Sequence, residues 1–365
     1  MGIIEGPRWR RAAVVIFLLL TSCAIQRPAA RSARSAEELA VNGKIAFISG
    51  DDADIFLTET GGNTPTRLVQ RHAADHEGAV SVVWSPDGTR VVFTDWTAGD
   101  HRLLYAMKAD GSALVELSAG LSDADDPTWS PDGSRVTFTG VDSHHGYEIY
   151  VVRADGTELS RLTDEADNGV DGAHMPAWSP DGTRIAYSAN RYDAATQTEM
   201  QAIFVVATDG SGQVRLTDGS AIDESPIWSP DSTRIAFSRK AGEDSEVFVA
   251  NADGSGLVNV SGHPSPDWAA SWAPDGTNVL LVSGRRGDYD LYLADATGKS
   301  LTRLTDEPSD DLAPVWSPDG ASIAFASDRE GSFDLYVMGA DGTDITRVTE
   351  DEDDEYPQAW LPIWP

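Results

Sequence analysis

The chain has 365 residues, of which 41% are hydrophobic and 24% are charged, so it can bury a large apolar core and has the composition of a globular protein. Lys and Arg total 27 against 59 Asp and Glu, which gives a formal net charge of -32. Because nucleic-acid binding depends on basic side chains that neutralise phosphates, this charge argues against nucleic acid as a partner and disfavours an anionic membrane surface. Cations, basic proteins and neutral sugars remain compatible with it.

The N-terminal segment has the anatomy of an export signal. A basic stretch at residues 8–11 precedes an apolar run at residues 12–20. This run is too short to cross a bilayer as a helix, which takes about 20 residues. Next comes Leu-Thr-Ser-Cys23, which resembles the lipobox of bacterial lipoproteins. The resemblance implies that residues 1–22 are a signal peptide, cleaved before Cys23, and that lipid is attached to the Cys23 sulfur. An ordinary secreted protein and an uncleaved anchor are the alternatives.

Residues 23–42 are small, polar and poor in aromatic side chains, which predicts a flexible tether between the lipid and the folded domain. Cys23 is the only cysteine, so no disulfide can form within the chain. We therefore expect a protein of the bacterial cell envelope, on its periplasmic or extracellular side, that touches the membrane only through the lipid on Cys23.

The rest of the chain, residues 43–365, contains an internal repeat. The word Trp-Ser-Pro-Asp-Gly, with one substitution in each of two copies, recurs at Trp84, Trp129, Trp178, Trp228, Trp272 and Trp316. The steps between copies are 45, 49, 50, 44 and 44 residues. Each period contains short β-rich segments separated by turn residues, which predicts four strands per unit. Four-stranded units at about this spacing are typical of the blades of a β-propeller.

The two ends of this region complement each other. One further step of 44 residues from Trp316 reaches Trp360, where the chain has room for one more strand. The region begins with Ile45-Ala-Phe47 and two further strands, with no tryptophan strand before them. We therefore predict an all-β, seven-bladed propeller of four-stranded antiparallel blades, with the last blade made of strands from both termini so that no edge stays open. Six or eight blades are the alternatives.

The repeated word resembles the WD-like repeat of TolB and related propellers, from about residue 43 to the C-terminus. The chain departs from TolB in lacking its small N-terminal domain and in having one blade more than that family's six. The repeated tryptophans are predicted to pack between blades. The aspartates of the repeated word are predicted to be turn residues.

Strand alternation sorts the loops into two faces. The repeated turns share one face, whereas the longer connections between blades share the other, where function is expected. All seven histidines are predicted on this variable face: His72, His76, His101, His144, His145, His174 and His263. Acidic residues just before the tryptophan strands are predicted to ring the channel mouth and to focus negative potential there, although solvated charge is the alternative. The candidate partner-binding residues include His174 and Trp268, although Trp268 alternatively plugs a loop. The other candidates are acidic: Asp125, Asp126, Asp171, Asp223, Glu224, Asp267, Asp310, Asp311, Asp354 and Glu355.

No phosphate-binding glycine loop, nucleophile elbow or His-Glu-x-x-His word occurs in the sequence. We predict a monomeric, non-catalytic scaffold that binds a basic segment of an envelope protein or peptide without a cofactor. A Ca²⁺ ion held by the carboxylates of the mouth is a further option. The alternative function is a metal-dependent polysaccharide lyase or hydrolase resembling the oligogalacturonate lyases, with the metal on His76, His174 and His263.

Overall fold

A computed structural model describes residues 44–49, 54–61, 64–69, 81–96, 101–143, 146–164, 172–193, 198–241, 244–350 and 353–360. These residues form 28 β-strands and no helix, which confirms the all-β class. The predicted signal peptide and tether, with Cys23, lie outside the described residues. In the part of the chain that the structure describes, no helix has the length and hydropathy required to cross a membrane.

The strands pair antiparallel in consecutive sets of four. The chain begins with β1 (Lys44–Ser49), β2 (Asp54–Glu59) and β3 (Thr66–Val69). The next two sets are β4 (Val82–Trp84), β5 (Arg90–Trp96), β6 (Arg102–Lys108) and β7 (Val115–Glu116), then β8 (Asp123–Trp129), β9 (Arg135–Val141), β10 (Tyr147–Arg153) and β11 (Ser160–Arg161). Two more are β12 (Gly172–Trp178), β13 (Arg184–Asp193), β14 (Thr198–Ala207) and β15 (Val214–Arg215), then β16 (Ile222–Trp228), β17 (Arg234–Ala241), β18 (Asp244–Asn251) and β19 (Val258–Asn259).

The remaining strands follow the same plan. They are β20 (Asp267–Trp272), β21 (Asn278–Ser283), β22 (Asp290–Asp295) and β23 (Leu301–Arg303), then β24 (Asp311–Trp316), β25 (Ser322–Ser327), β26 (Asp334–Gly339) and β27 (Thr346–Arg347), and finally β28 (Glu355–Trp360). The sets β4–β7, β20–β23 and β24–β27 are separate four-stranded sheets. The three sets from β8 to β19 are joined into one 12-stranded sheet by parallel bridges between β10 and β12 and between β14 and β16.

One of these bridges requires a glycine. Gly172 pairs with Tyr147 and has a φ of 92°. A Cβ atom at this position would lie 1.8 Å from the Tyr147 carbonyl oxygen. Since glycine alone lacks Cβ and adopts this φ without strain, β12 approaches β10 this closely only with Gly172 in place.

The C-terminal strand completes the sheet of the N-terminal strands, whose order is β28-β1-β2-β3. Trp360 pairs with Ile45, Ala359 with Ala46, and the antiparallel register continues as far as Glu355 opposite Ser49. This pairing confirms the prediction that the two ends of the repeat region share one sheet. It gives β1 a neighbour on each side, so its backbone groups do not form an open edge.

The first strands of the successive sets lie against one another. In the described residues, contacts run from β4 to β8, β12, β16, β20, β24 and β28, and β28 also contacts β4. These strands are therefore the innermost ones, and they line a common axis as the first strands of a β-propeller do.

Two of the repeated tryptophans, Trp129 and Trp272, show the predicted packing between neighbouring sheets. The Nε1–H of Trp129 donates to the carbonyl of Val83 at 3.0 Å, and Trp272 donates in the same way to Ile227 at 3.1 Å. Both indoles are almost fully buried. Each ring therefore ties its sheet to the preceding first strand and removes a large apolar surface from water, which contributes about 2–3 kcal/mol.

The repeated turns are held by their own side chains. Ser85 Oγ donates to Asp87 Oδ1 at 2.7 Å and accepts from the Arg90 backbone N–H at 3.0 Å, while Gly88 takes a φ of 65°. The hydroxyl-to-carboxylate bond recurs in the pairs Ser130–Asp132, Ser179–Asp181, Ser229–Asp231 and Ser317–Asp319. These contacts confirm that the repeated aspartates are turn residues.

One copy of the repeated word has Ser232 in place of the turn glycine, and the side chain of this serine makes a contact of its own. Ser232 adopts a φ of 60°, and its Oγ accepts a hydrogen bond from the Asp181 backbone N–H at 3.0 Å. The strain of a left-handed serine is thus offset by a bond to the turn of the preceding sheet.

Removing residues 355–365 deletes β28 and uncovers β1. Because buried Tyr356 and Gln358 are lost together with the strand pairing, we expect a loss of about 5 kcal/mol or more and a fall in Tm of about 10 °C or more. Thermal unfolding followed by circular dichroism measures this. A matched truncation of residues 361–365 leaves β28 in place and should unfold close to wild type. Equal melting of the longer truncation and the wild type would contradict the closing role of β28.

Candidate binding site at the channel mouth

The first strands carry a β-bulge at their channel end. The register shifts between Asp125 and Thr128 in β8, and at the equivalent positions of β12, β16 and β24. The residue three places before the tryptophan has a positive φ in each case: Asp126 (52°), Met175 (53°), Ser225 (58°) and Ala313 (57°). A bulge interrupts the strict alternation of side chains and re-aims them. Four of the predicted binding residues lie at these bulges: Asp125, Asp126, His174 and Glu224.

Three contacts connect the bulges of β8, β12 and β16 with one another and with Ser81, which directly precedes β4. Ser81 Oγ donates to Asp125 Oδ1 at 2.9 Å. The Met175 backbone N–H donates to Thr139 Oγ1 at 3.2 Å, and Ser225 Oγ lies 3.2 Å from the Met175 sulfur. The residues at these three bulges, together with Ser81, form one group along the innermost strands, which we name the channel cluster: Ser81, Asp125, Asp126, His174, Met175, Glu224 and Ser225.

In the part of the chain that the structure describes, one arginine faces three carboxylates at the β8 end of the cluster. Arg102 pairs with Asp125 and, at 2.8 Å, with Asp123, and the carboxylate of Asp126 is also close enough to act on its charge. The Arg102 and Asp125 side chains are 23% and 16% exposed, so water reaches them only in part. One positive charge among three acids leaves this part of the channel cluster negative.

Burial changes the acid strength of these carboxyl groups. It raises the pKa of Asp125 to about 6, the adjacent Asp126 carboxylate adds to the rise, and Arg102 opposes it. Burial also raises the pKa of Asp126, against the effect of a hydrogen bond from Thr139 Oγ1 at 3.0 Å. The two carboxyl groups therefore exchange protons at a higher pH than ordinary aspartates and titrate as a pair.

Glu224 and His174 extend the cluster towards β16. Burial raises the pKa of Glu224, and Lys240 opposes this rise. Within the described residues, the Glu224 side chain makes no hydrogen bond or ion pair. The His174 ring lies 4.8 Å from the ring of Tyr147, which is 37% exposed. This end of the cluster thus offers an unpaired carboxylate beside an aromatic pair.

Three other predicted binding acids are buried in ion pairs. Asp223, Asp267 and Asp311 are fully buried, and each pairs with an arginine of its own sheet: Arg239 at 2.6 Å, Arg285 at 3.1 Å and Arg329 at 3.1 Å. Each guanidinium also lies over an aromatic ring of the third strand, at 4.8 Å for Phe248, 4.6 Å for Tyr292 and 4.7 Å for Tyr336. The sequence led us to expect these carboxylates at the mouth, whereas their burial and pairing give them a contact inside the sheet.

The remaining predicted residues also have partners inside the fold. Glu355 is 1% exposed and accepts from Thr349 Oγ1. Asp310 accepts from the Tyr289 backbone N–H at 2.9 Å, and Asp354 accepts from that of Phe333 at 3.1 Å. The Trp268 ring lies 5.3 Å from the Tyr289 ring and packs against the core, as expected for a residue that plugs a loop. Asp171 lies outside the described residues, as do His72, His76, His144 and His145.

The sequence reasoning missed the arginines. Arg285 and Arg329 each follow their aspartate by 18 residues, in the words Ser-Gly-Arg and Ser-Asp-Arg at the end of the second strand. Alignment of the repeats against one another would have revealed this periodic acid–arginine spacing. Arg102 has no such counterpart, so no repeat signal identifies it.

Comparisons with known proteins agree with this architecture. Residues 183–362 match the family model of the TolB beta propeller domain. The fold is similar to that of TolB from Acinetobacter baumannii, with 17% identity, a TM-score of 0.54 and coverage of 96% of this chain and 93% of that one. It is also similar to an oligogalacturonate lyase in complex with manganese, with 17% identity, a TM-score of 0.60 and coverage of 86% and 87%.

A puromycin hydrolase is similar as well, with 17% identity and a TM-score of 0.59, although the match covers 71% of this chain and only 45% of the hydrolase. No curated protein sequence matches the chain. At these identities the likeness concerns the fold alone.

Replacing Asp126 with Asn should lower the pKa of Asp125, because it removes the neighbouring charge that opposes ionisation. Carboxyl-carbon NMR titration of Asp125 measures the shift. The control is Asp306→Asn, which neutralises an exposed acid elsewhere and should leave the Asp125 titration unchanged. A wild-type Asp125 that titrates at the ordinary aspartate value would contradict the burial described here.

The same group makes stability depend on pH. Because the folded-state pKa of Asp125 lies above the unfolded value, its contribution to stability is present below about pH 4 and is lost as the pH rises through about 6. We therefore expect Asp125→Asn to become more stable relative to wild type between these two values, by about 2–3 kcal/mol. Urea unfolding at both pH values measures the difference, and a pH-independent difference would contradict it.

Proposed function

We propose that this TolB-like β-propeller is a non-catalytic binding protein of the bacterial cell envelope, and that its channel cluster receives a basic segment of a protein or peptide partner. The observation that carries this proposal is the excess of carboxylates over bases in the cluster. Among the described residues, Arg102 is the single arginine beside Asp123, Asp125 and Asp126, and Glu224 adds a further acid. A ligand cation would supply the missing positive charge.

The raised pKa of Asp125 supports the same conclusion. Its carboxylate is poorly solvated and lies beside a like charge, so ionisation costs more there than in water. A lysine or arginine of a partner would relieve this cost and displace the proton. Binding should therefore release protons near pH 6 and strengthen as the pH rises through that value.

Long-range charge favours such a partner. The net charge of -32 attracts cationic segments and speeds their encounter with the mouth. Such attraction is screened by salt, so the affinity should fall as ionic strength rises. The aromatic pair of Tyr147 and His174 would supply apolar contact area beside the acids.

The proposal includes the setting of the domain. We propose a monomeric ring of seven blades, supported by the consecutive four-stranded sets and by the contacts of the first strands from β4 round to β28. We also propose that residues 1–22 are removed, that Cys23 carries the lipid and that residues 23–42 tether the propeller of residues 43–365, on the strength of the lipobox and the composition of the tether. Extension of the tether from the membrane would leave the channel mouth accessible to envelope partners.

Proteins that bind and proteins that catalyse share this fold, so the alternative hypothesis of a metal-dependent lyase requires its own test. Among the described residues, no group of three or more His, Cys, Asp or Glu side chains could hold a metal ion. His174 and His263 are described, whereas His76, the third predicted ligand, is not. The residues described do not fit a metal centre. Stoichiometric manganese or zinc in the purified protein, measured by elemental analysis, would favour the enzyme, and the same measurement detects calcium.

The channel cluster can be tested by removing its charge. In pull-downs from detergent-solubilised envelopes, the variant Asp125→Asn, Asp126→Asn, Glu224→Gln should recover a bound partner at least about tenfold less well than wild type, because the ligand cation loses its acids. Asp223 and Asp311 are unsuitable targets, since neutralising them would leave Arg239 and Arg329 unpaired inside the sheet.

The matched control is Asp306→Asn, Glu307→Gln, Glu330→Gln, which makes the same change in net charge at exposed positions. It should retain the partner. Equal retention by the channel variant, with unchanged thermal unfolding, would argue against the cluster, and equal loss in both variants would assign binding to the bulk charge of the protein.

A further inference from the structure

The face opposite the channel mouth carries a second repeated arrangement. In four successive sheets an arginine stands six residues after the repeated tryptophan, at the start of the second strand: Arg90, Arg135, Arg184 and Arg234. Each is placed by the turn described above, because the backbone N–H of this arginine is the group that donates to the turn serine. The four arginines therefore start from equivalent backbone positions, and Arg90, Arg184 and Arg234 donate to a carbonyl of the next set of strands.

Two of these arginines occupy the same slot in the next sheet. Arg184 lies 4.6 Å from the centre of the Trp228 ring and donates to the Ser232 carbonyl at 2.8 Å. Arg234 lies 4.8 Å from the Trp272 ring and donates to the Gly276 carbonyl at 2.6 Å. In both cases the carbonyl belongs to the fourth residue after the tryptophan. The slot thus binds a planar cation by ring stacking and one hydrogen bond.

The slot between β8–β11 and β12–β15 is not filled in this way. Within the described residues, the guanidinium of Arg135 makes no hydrogen bond, ion pair or ring contact, although Arg90 in the sheet before it reaches the Ala154 carbonyl at 3.1 Å. Among the same residues the buried indole N–H of Trp178 has no acceptor, which is also the case for Trp84 and Trp316. A cavity of about 530 Å³ opens here, and its lining includes Asp132, Arg135, Arg153, Trp178, Asp181 and Gly182.

The filled slots indicate which ligand the open one accepts. Its ring is Trp178, and the carbonyl four residues later is that of Gly182. We propose that this cavity, the open slot, binds an arginine side chain of a partner peptide, which stacks on Trp178 and donates to the Gly182 carbonyl as Arg184 and Arg234 do in their own slots. The Asp132 and Asp181 carboxylates line the same cavity and favour a cation.

The bases in the lining are compatible with this ligand. Arg153 is already paired with Glu158 at 2.8 Å, so its charge is compensated. Arg135 has no partner and is free to donate to a backbone carbonyl of the bound peptide. The cavity volume lies in the range of about 300–1,000 Å³ that small-ligand sites occupy, which leaves room for residues on either side of the arginine.

A pair of equivalent substitutions tests whether the slot is open. Arg184→Ala removes a ring stack and a hydrogen bond between sheets, so it should lower the Tm by at least about 2 °C. Arg135→Ala removes no such contact and should leave the Tm within about 1 °C of wild type. If Arg135→Ala lowers the Tm as much as Arg184→Ala, Arg135 fills its own slot in solution and the proposal is overturned.

Binding is tested with the full-length protein and the peptide acetyl-Gly-Arg-Gly-amide, followed by NMR of the tryptophan indole N–H signals. The peptide should bind at least about tenfold more tightly than its citrulline counterpart, which is nearly the same shape but uncharged. The double variant Asp132→Asn, Asp181→Asn keeps side chains that can cap the turns and should weaken binding at least about fivefold.

The matched control Asp306→Asn, Glu307→Gln makes the same change in net charge at two exposed positions outside both proposed sites, and it should bind the arginine peptide as wild type does. Equal binding of the arginine and citrulline peptides would overturn the proposal. The proposal would also be overturned if the channel variant lost binding of the peptide and the Asp132→Asn, Asp181→Asn variant kept it, because the peptide would then occupy the channel cluster.

Discussion

The pairing of β28 with β1 is the contact on which the rest of the architecture depends. Without it, β1 would present a row of unpaired N–H and C=O groups beside side chains that are almost fully buried, among them Ile45, Ala46 and Phe47. Because β28 also contacts both β24 and β4, it joins the last strands of the chain to the first. The innermost strands, and therefore the alignment of their bulges, are held in place by this one antiparallel register.

The acidic residues of the first strands lie in one of two environments, either an ion pair inside the sheet or the channel cluster. The two positions are one residue apart along the strand. Three strands have an aspartate five residues before the tryptophan: Asp223, Asp267 and Asp311. These carboxylates are buried and paired with arginines. Loss of the arginine would leave a buried charge at a cost of several kcal/mol. In β8 and β12 this position is Ala124 and Ala173, and the polar residue comes one place later, at Asp125 and His174. Since neighbouring positions of a strand face opposite sides, that shift moves the side chain from the sheet contact to the channel cluster.

Much of the fold follows from the repeat, whereas the site follows from it only in part. The tryptophan spacing and the serine–aspartate turns predicted the strands, the packing between sheets and the pairing of Phe47 with the C-terminal strand. The sequence could not separate Asp125 from Asp267, because both belong to acidic words just before a tryptophan and differ only in register. Arg285 and Arg102 determine how much of the carboxylate charge is left uncompensated. They lie far along the chain from their carboxylates, and only the folded sheet brings them together.

Recognition requires groups that the fold leaves without partners, because a ligand gains little from a donor, acceptor or charge that is already satisfied. Most repeated polar side chains are satisfied internally, as Asp87 is in its turn and Arg184 is on Trp228. Two exceptions among the described residues involve the strands from β8 to β19. On the channel side the acids outnumber the bases among the described residues, and on the opposite side the Arg135 guanidinium lacks the ring and carbonyl contacts that Arg184 and Arg234 make. The acids of the channel side favour a cation, and on the opposite side the proposed arginine would be held by the Trp178 ring and the Gly182 carbonyl while Arg135 donates to the peptide backbone, so both proposals place a basic partner on the same part of the fold.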